Sequence, residues 1–185
     1  MRRLFLLRHG ITDANVKNVY NPIDDQLCAE GEAGVRKAAK YMAQCTFDAV
    51  YCSSLPRAQA TAKLLGVAYH VRPLLRDRDF GTMAGQQYLG PCQPTRVLAP
   101  GAGTVIGPQF DEQPEDVRVR VHEFLASLGD GDFLIVTHSH VMRWIVRETT
   151  GLPMLTEKIE NAALWIIEDQ KLVHRNWRPW LETTD

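Results

Sequence analysis

Arg3-Leu4-Phe5-Leu6-Leu7-Arg8-His9-Gly10 joins a short apolar run directly to a polar turn. The run Arg3–Leu7 predicts a buried strand, because brief apolar stretches bounded by turn residues are typical of strands that are covered on both faces. Such a strand delivers Arg8 and His9 to its carboxyl end. In sheets built from strands of this kind, ligands bind beyond the carboxyl ends. The same stretch therefore begins the fold and predicts the position of a functional site.

A second stretch of the sequence has the same design. Phe133-Leu134-Ile135-Val136 is apolar and runs directly into Thr137 and His138. Because the carboxyl ends of parallel strands meet at one edge of a sheet, we expect Arg8-His9 and Thr137-His138 to be neighbours in space. The sequence therefore predicts two histidines at one edge of the sheet.

Helices alternate with strands around these two stretches, and Pro and Gly mark several helix ends. The predicted strands are Arg3–Leu7, Ala49–Cys52, Val67–Val71 and Phe133–Val136, with a terminal hairpin formed by Ala163–Ile167 and Lys171–His174. The predicted helices run from Glu30 to Gln44, from Pro56 to a stop at Gly66, from Pro114 to a stop at Gly129, and from Val141 to a stop at Gly151. This alternation predicts an α/β fold, a three-layer α/β/α sandwich around a mostly parallel sheet.

Length and charge limit the classes of protein that the chain can be. Its 185 residues fit a single domain, residues 1–185. Hydrophobic residues make up 45% and charged residues 23%, which is typical of a folded globular protein and excludes a disordered one. Lys and Arg number 21 against 22 Asp and Glu, so the net charge of -1 gives no broad attraction to nucleic acid or to an anionic membrane. Any site for an anion must be local.

The N-terminus and the cysteines indicate the cytoplasm. Arg8 ends the apolar run Leu4–Leu7, which is too short for the apolar core of about 7–15 residues that a signal peptide needs. No other stretch approaches the roughly 18 apolar residues of a membrane-spanning helix. No Cys-x-x-Cys pair is present, and reduced thiols are predicted for Cys28, Cys45, Cys52 and Cys92. We therefore predict a soluble, cytoplasmic protein that does not bind a membrane.

Residues 81–109 break the alternation of strands and helices. The segment is rich in Gly and Pro and has no usable period, so we predict a long functional loop. We expect this loop to select the substrate, and its main cationic residue is Arg96.

Two arginines and two histidines are predicted to face one site. Arg57 follows the second predicted strand and joins Arg8, His9 and His138. A phosphoryl group carries charge on three oxygens, and the arginine fork matches that geometry through paired hydrogen bonds. With this charge neutralised, an imidazole can attack phosphorus without a metal and hold a covalent phosphohistidine. His9, between Arg8 and Gly10, is the predicted nucleophile, and we expect no metal or cofactor.

Four motifs in this order resemble those of the histidine phosphatase superfamily, in its phosphoglycerate mutase-like branch. They are Arg8-His9-Gly10 followed by Thr12 and Asn15, residues 54–62, residues 75–81, and Val136-Thr137-His138. The resemblance spans the whole chain and implies a phosphoglycerate mutase-like fold, with His9 as the nucleophile. It implies that the phosphoryl oxygens are held by Arg8, Arg57 and His138.

Two further polar residues follow the first motif. The resemblance implies that Asn15 adds a polar contact to the substrate, and we expect the same of Thr12. At the position after Gly10 the family usually has Glu, and this chain has Ile11. One polar neighbour of the site that the family would supply is therefore absent.

The proton donor is open among three carboxylates. Asp77 stands where the family commonly has Glu, and its side chain is one methylene shorter. Glu112 can approach from the long loop, and Asp79 points to the same side as Asp77 if the segment is extended. We rank Asp77 first as the catalytic acid, then Glu112, then Asp79.

The expected function is the hydrolysis of a small phosphate ester, a phosphorylated metabolite, through a phosphohistidine on His9. A phosphoglycerate mutase-type transfer is the alternative, but it requires a closed pocket with extra cationic groups, and the long loop supplies mainly Arg96. Another class is a non-catalytic phosphate-binding or scaffold protein of the same fold. The identity of the substrate and the oligomeric state stay open.

A metal-dependent hydrolase is a rival from another chemical class. His138-Ser139-His140 has the spacing of a His-x-His pair, which binds metals at strand ends in some hydrolases. No Asp or Cys motif elsewhere in the sequence completes such a site, and the barrel folds that use the pair generally need about 250 residues. We interpret His140 instead as a polar residue at a helix start or as pocket lining.

Overall fold

The computed structural model describes residues 1–88, 97–98, 105–106 and 110–181. The strands are β1 (Arg2–Arg8), β2 (Ala49–Ser53), β3 (His70–Arg72), β4 (Val97–Leu98), β5 (Val105–Ile106), β6 (Gly131–Thr137), β7 (Leu164–Glu168) and β8 (Lys171–Trp177). The helices are α1 (Asp13–Val16), α2 (Ala29–Met42), α3 (Pro56–Leu65), α4 (Pro114–Ala126) and α5 (Ser139–Thr150). Short 3-10 turns lie at Pro73–Leu75, Gly81–Met83 and Pro179–Leu181.

A six-stranded sheet with the order β3-β2-β6-β1-β7-β8 forms the centre of the fold. The pairs β2–β3, β2–β6 and β1–β6 are parallel, whereas β7 pairs antiparallel with both β1 and β8. In the β1–β6 pair, Arg8 lies opposite Thr137. The two stretches that end in histidine are therefore neighbours, as the sequence predicts, and their carboxyl ends meet.

Helices cover both faces of this sheet. Side chains alternate between the faces of a strand, so β1 places Leu4 and Leu6 in one core and Leu7 in the other. The first core packs under α4 and α5, and the second packs under α2 and α3. Burial of each large aliphatic side chain contributes about 1.5–3 kcal/mol to the free energy of unfolding. The predicted α/β fold, a three-layer sandwich with a mostly parallel sheet, is confirmed.

Several predicted boundaries differ from those in the structure, and two of the differences have a clear cause. The third strand is His70–Arg72 rather than Val67–Val71. It lies at the edge of the sheet and its side chains are exposed, so apolar residues do not mark its position in the sequence. Helix α4 ends at Ala126 with Ser127 as its cap, before the predicted stop at Gly129. The terminal hairpin is confirmed, with β8 as the other edge strand.

The segment 81–109 is not wholly irregular. It begins with the 3-10 turn Gly81–Met83, and β4 pairs antiparallel with β5, with Val97 opposite Ile106. Two-residue strands are too short to produce a period in the sequence, which is why we expected a loop without strands. The predicted substrate-selecting residue Arg96 lies outside the described residues.

In the part of the chain that the structure describes, the cysteines form no disulfide and the helices are too short or too polar to cross a membrane. Cys28, Cys45 and Cys52 are free thiols, as predicted, and Cys92 lies outside the described residues. Among the helices described, none is both long and apolar enough to cross a bilayer.

Close packing of α2 fixes the turn that follows β1. Gly31, in the first turn of α2, is so near the backbone of Ile11 that a Cβ atom would lie 2.7 Å from the Ile11 nitrogen. The backbone N–H of Cys28 also donates to the Ile11 carbonyl at 3.0 Å. A Cβ on Gly10 would lie 2.8 Å from a methyl group of Val35. The turn after β1 can therefore pack this closely against α2 only because Gly10 and Gly31 have no side chains.

We predict that Gly31→Ala destabilises the protein and Gly34→Ala does not. The added methyl group of Gly31→Ala meets backbone that cannot move away cheaply, so the free energy of unfolding should fall by about 1–3 kcal/mol. Gly34 lies in the same helix with no atom within 4 Å of its Cβ position, and its replacement should be neutral or stabilising by up to about 1 kcal/mol. Urea unfolding of both variants measures the difference. Equal stability of the two variants would contradict the packing argument.

Candidate active site

The site lies where three strands end and two helices begin. β1 ends at Arg8 and is followed by His9, whose backbone N–H donates to the carbonyl of Thr137 at 3.0 Å. β6 leads into His138, which occupies the N-cap position of α5, and β2 leads into α3. Arg57 is in the first turn of α3. Helix N-termini carry partial positive charge, so the backbone adds to the attraction for an anion.

The ring of His9 is held in one tautomer. Its Nδ1 lies 2.7 Å from the carbonyl oxygen of Gly10, and because a carbonyl only accepts hydrogen bonds, Nδ1 carries the proton. The lone pair is then on Nε2. His9 is 1% exposed, and burial together with the nearby Arg57, His138 and Arg8 lowers its pKa well below 6.5. At neutral pH His9 is therefore an uncharged imidazole with a free lone pair.

His138 packs beside His9, with their ring centroids 5.1 Å apart. Its Nε2 is 2.8 Å from the Ser53 hydroxyl oxygen, and its Nδ1 is 3.5 Å from Oδ2 of Asp77. Burial lowers the pKa of His138 well below 6.5, and although the Asp77 carboxylate acts in the opposite direction, Arg57 and Arg8 reinforce the lowering. The pKa values of both imidazoles are thus lowered below 6.5.

Two guanidinium groups bring positive charge to the buried imidazoles. Arg57 is almost fully buried and donates to the carbonyl of Pro22 at 2.9 Å and to Asp77 at 3.1 Å, while Arg8 donates to the carbonyl of Ile159 at 2.5 Å. Burial lowers the pKa of Arg8 to about 10, which still leaves it charged at neutral pH. The Nε atoms of both arginines have no hydrogen-bond partner among the described residues. Donors left in this state favour an anionic ligand.

Asp77 is the carboxylate that meets these cations. Its Oδ2 faces Arg57 and His138, and its Oδ1 accepts from the backbone N–H of Arg78 at 3.0 Å and lies 3.5 Å from Nδ1 of His140. Burial acts to raise the pKa of Asp77, but His138, His140 and Arg57 outweigh it and hold that pKa well below its usual range. Asp77 is therefore ionised and paired with Arg57.

The other two candidate acids are engaged elsewhere. Glu112 accepts from Arg76 at 3.0 Å and from Arg120 at 2.8 Å, and it also accepts from the backbone N–H of Asp79 at 3.0 Å. Burial acts to raise the pKa of Glu112, but Arg120 and the Asp79 N–H lower it overall. The side chain of Asp79 accepts from the backbone N–H of Gly81 at 3.0 Å. Glu112 and Asp79 thus fix the segment that carries Asp77, whereas Asp77 itself faces the imidazoles of His138 and His140.

Thr12 and Asn15 form a helix cap. The Thr12 hydroxyl accepts from the backbone N–H of Asn15 at 3.2 Å and from the amide of Asn21 at 2.7 Å. Thr12 is 0% exposed, and its side chain holds α1 in place. Asn15 does line the cavity, in agreement with its predicted position.

Asn161 is a functional residue that the sequence analysis missed. Its side-chain amide donates to the carbonyl of His9 and to the side-chain oxygen of Asn15, both at 3.0 Å. It ties the segment before β7 to the turn that carries His9. A single Asn before a hairpin gives no signal in the sequence, and the contact is visible only once β7 is placed next to β1.

A cavity of about 490 Å³ opens beside Asp77. Polar groups line one part of it, and three aromatic rings line another: Tyr20, Phe80 and Tyr88. The ring centroid of Tyr20 is 4.9 Å from that of Phe80 and 5.0 Å from that of Tyr88. A second cavity of about 320 Å³ includes Arg57 and Asp77 in its wall. A large organic group attached to a phosphate therefore fits the first cavity.

His140 lines the same cavity near the start of α5, as its sequence position predicts. The Nδ1 atoms of His138 and His140 both face the Asp77 carboxylate, one on each oxygen. In the described ranges, no group of three or more His, Cys, Asp and Glu side chains is placed to hold a metal ion. The His-x-His pair is thus arranged around a carboxylate.

Known proteins with similar sequences or folds are phosphatases and mutases. The adenosylcobalamin/alpha-ribazole phosphatase of Escherichia coli (strain K12) is 28% identical over 171 residues, which cover 82% of this chain and 80% of the relative. The alpha-ribazole phosphatase of Shigella flexneri has the same fold, with a TM-score of 0.76 at 24% identity over 95% of this chain and 96% of that one. A phosphoglycerate mutase from Thermus thermophilus gives a TM-score of 0.72 at 25% identity, over 95% of this chain and 99% of that one.

The family model for the histidine phosphatase superfamily (branch 1) matches residues 4–174. This range includes β1 from Leu4 onwards, both histidine-bearing strand ends and the terminal hairpin up to His174. The resemblance carried by Arg8-His9-Gly10 and Val136-Thr137-His138 is therefore shown over most of the chain. The chain belongs to the histidine phosphatase superfamily, branch 1.

Proposed function

We propose that this phosphatase is a metal-independent phosphomonoesterase that hydrolyses a phosphorylated metabolite through a phosphohistidine on His9. The observation that carries the proposal is the hydrogen bond from His9 Nδ1 to the Gly10 carbonyl, because it leaves the Nε2 lone pair free inside a cationic pocket. A nucleophile of this kind divides hydrolysis into two easier displacements. The partner is a small-molecule phosphate ester, and the site works in the cytoplasm without a cofactor.

Substrate binding replaces one anion with another. The phosphoryl oxygens take the unpartnered donors of Arg8 and Arg57, and Arg57 exchanges part of its contact with Asp77 for the substrate. Charge-assisted hydrogen bonds from guanidinium groups match the oxygens of the transferring phosphoryl group. His138 adds a further donor at the same centre. These groups supply the positive charge that would otherwise come from a metal ion.

Two displacements complete the reaction. The Nε2 atom of His9 attacks phosphorus, and the leaving oxygen departs with a proton from the Asp77 side of the site. Water then attacks the phosphohistidine, the N–P electrons return to Nε2, and the proton released by the water restores the acid that protonated the leaving oxygen. The bond from Nδ1 to the Gly10 carbonyl is kept throughout, so the ring does not have to reorient between the two steps.

Hydrolysis of a large substrate is favoured over a phosphoglycerate mutase reaction. A mutase retains a small bisphosphorylated intermediate, whereas the cavity here has a volume of about 490 Å³ and an aromatic wall. Flat ring systems pack well against aromatic side chains. Three of the relatives are named adenosylcobalamin/alpha-ribazole phosphatases, and we propose a phosphate ester of similar size to alpha-ribazole phosphate for this chain.

We predict that His9→Ala forms no phosphoenzyme. A rapid acid-free quench of the wild-type protein with p-nitrophenyl phosphate should trap a phosphoramidate that survives alkali and is lost in acid. The intermediate should form in excess EDTA, since the cations of the site are side chains. His122→Ala, at an exposed position on α4, is the control and should behave as the wild type. A phosphoenzyme that is stable in acid, or one that needs a divalent ion, would refute the proposal.

We predict a preference for an aromatic substrate over a three-carbon one. The ratio of kcat/KM for alpha-ribazole 5′-phosphate to that for 3-phosphoglycerate should be well above one. Phe80→Leu keeps most of the volume but removes the flat ring, so KM for the ribazole ester should rise about 2- to 10-fold, as expected for the loss of one aromatic contact. Phe47→Leu, whose ring packs against Phe5, is the matched control. Isomerisation of phosphoglycerate at a higher rate than hydrolysis would favour the mutase alternative.

We predict that Arg57→Ala moves the acidic limb of the pH profile upwards. Protonated His9 has no lone pair, so kcat/KM should fall as the pH falls through the pKa of His9, which lies below 6.5. Arg57 is one of the charges that lower this pKa, and its removal should shift the limb towards 6.5 as well as slow the reaction. Arg36→Ala, an exposed arginine on α2 that pairs with Glu32, should leave the limb in place. An unmoved limb in Arg57→Ala would show that another group controls it.

A further inference from the structure

Three asparagine side chains are hydrogen-bonded in series next to the turn that follows β1. Asn161 Nδ2 donates to Oδ1 of Asn15 at 3.0 Å, and Asn15 Nδ2 donates to Oδ1 of Asn21 at 3.0 Å. Asn21 Nδ2 donates in turn to the Thr12 hydroxyl at 2.7 Å and to the Asp25 carboxylate at 2.6 Å. We call these three side chains the asparagine network. The network joins α1, the segment that follows α1 and the segment before β7.

Groups that only accept or only donate hydrogen bonds fix the direction of every amide in the asparagine network. The carboxylate of Asp25 only accepts, so Asn21 turns its Nδ2 towards it and its Oδ1 towards Asn15. The backbone N–H of Thr12 only donates, and it lies 3.3 Å from Oδ1 of Asn15. Because this oxygen is an acceptor, the group that Asn161 turns towards it is its NH₂ group.

The same NH₂ group of Asn161 faces two consecutive carbonyls of the active-site turn. Its Nδ2 donates to the carbonyl of His9 at 3.0 Å and to the carbonyl of Gly10 at 3.3 Å. The backbone N–H of Ala162 adds contacts of 3.0 Å to the carbonyl of Arg8 and 3.2 Å to that of His9. Carbonyl oxygens only accept, which agrees with the orientation that the other end of the network requires. One side-chain amide therefore holds both carbonyls.

The Gly10 carbonyl is the group that determines the tautomer of His9. It lies 2.7 Å from His9 Nδ1, which keeps the proton there and leaves the lone pair on Nε2. A carbonyl oxygen has two lone pairs, so it accepts from His9 and from Asn161 together. The direction of this carbonyl thus links the amide of Asn161 to the imidazole.

We propose that Asn161 is a positioning residue that sets the tautomer of His9 by holding the Gly10 carbonyl. This inference rests on the proposed phosphatase function, in which Nε2 of His9 attacks phosphorus. If the carbonyl turns away, Nδ1 loses its acceptor and the proton can move to Nε2, where it removes the lone pair. Groups that orient an imidazole from behind have this effect at metal sites and in catalytic triads.

Contact with the substrate is the competing role for Asn161, because its side chain also lines the large cavity. A contact to the organic part of the substrate matters only for the esters that make it. Loss of the tautomer instead slows phosphoryl transfer to His9 by a similar factor for every ester, since the same lone pair attacks in each case. A comparison of two unlike esters therefore separates the two roles.

The first test measures phosphoenzyme formation by rapid quench in Asn161→Ala. With p-nitrophenyl phosphate and with a 5′-nucleotide, the rate should fall about 10- to 100-fold, as is usual when an orienting partner is removed. KM should change far less than kcat, because the cations that bind the phosphoryl group stay in place. Gln26→Ala is the matched control. Its exposed amide also donates to a backbone carbonyl, that of Asp24 at 3.0 Å, and its removal should leave the rate unchanged.

The second test observes the tautomer directly by nitrogen NMR of isotopically labelled histidine. An imidazole nitrogen that carries a proton resonates apart from one that does not, and the His9 signals are those missing from His9→Ala. The wild type should have its proton on Nδ1, whereas Asn161→Ala should have it distributed over both nitrogens. Gln26→Ala should give the wild-type signals. A cooperative urea transition shows that each variant is folded.

Asn161→Asp keeps the shape of the side chain but has no N–H to donate. It should displace the proton from Nδ1 as the alanine variant does, and it serves as the test if Asn161→Ala does not fold.

Two results would overturn the inference. One is a His9 proton that stays on Nδ1 in the folded variants, and the other is a rate that falls on only one of the two substrates, which would assign a substrate contact to Asn161. Failure of the proposed function has a different signature. If the wild type forms no phosphoenzyme, the phosphatase reaction is wrong, whereas the NMR measurement needs no turnover and still tests the effect of Asn161 on His9.

Discussion

The buried ion pair between Arg57 and Asp77 governs the chemistry of the site. A guanidinium group enclosed to this extent requires an anionic partner, since an unpaired buried charge costs several kcal/mol. Asp77 supplies that partner. The same cation lowers the pKa of His9, and so keeps the proposed nucleophile uncharged. One interaction therefore stabilises the buried arginine and holds it next to the imidazole.

A network of further charges holds this ion pair in place. Glu112 binds both Arg76 and Arg120, and Arg120 also donates to the backbone carbonyl of Asp77 at 3.2 Å. Helix α4 is thus linked to the segment that follows the 3-10 turn Pro73–Leu75. Removal of one member of a buried network leaves the others unpaired, so these residues affect the site without touching the substrate.

The parts of the site that could be predicted from the sequence are those fixed by strand geometry. Arg8, His9 and His138 follow apolar runs, and parallel pairing of β1 with β6 brings them together without any further information. The contacts of Glu112, Asn161 and His140 could not be predicted, because they join segments whose relative positions depend on the complete packing. A polar partner that is distant along the chain leaves no period in the sequence. The same reason explains why the contact of Thr12 with Asn21 could not be predicted.

The position of β1 in the sheet has a consequence for folding. Although β1 is the first strand along the chain, it lies between β6 and β7, and its first partner pair is Arg2 with Gly131. During synthesis β1 therefore has no neighbouring strand to pair with until much of the chain has left the ribosome. Contacts between residues so far apart in the sequence slow folding. They also leave an apolar, aggregation-prone segment exposed in the nascent chain. The strand that leads into His9 is thus also a segment that cannot pair within the sheet until late in synthesis.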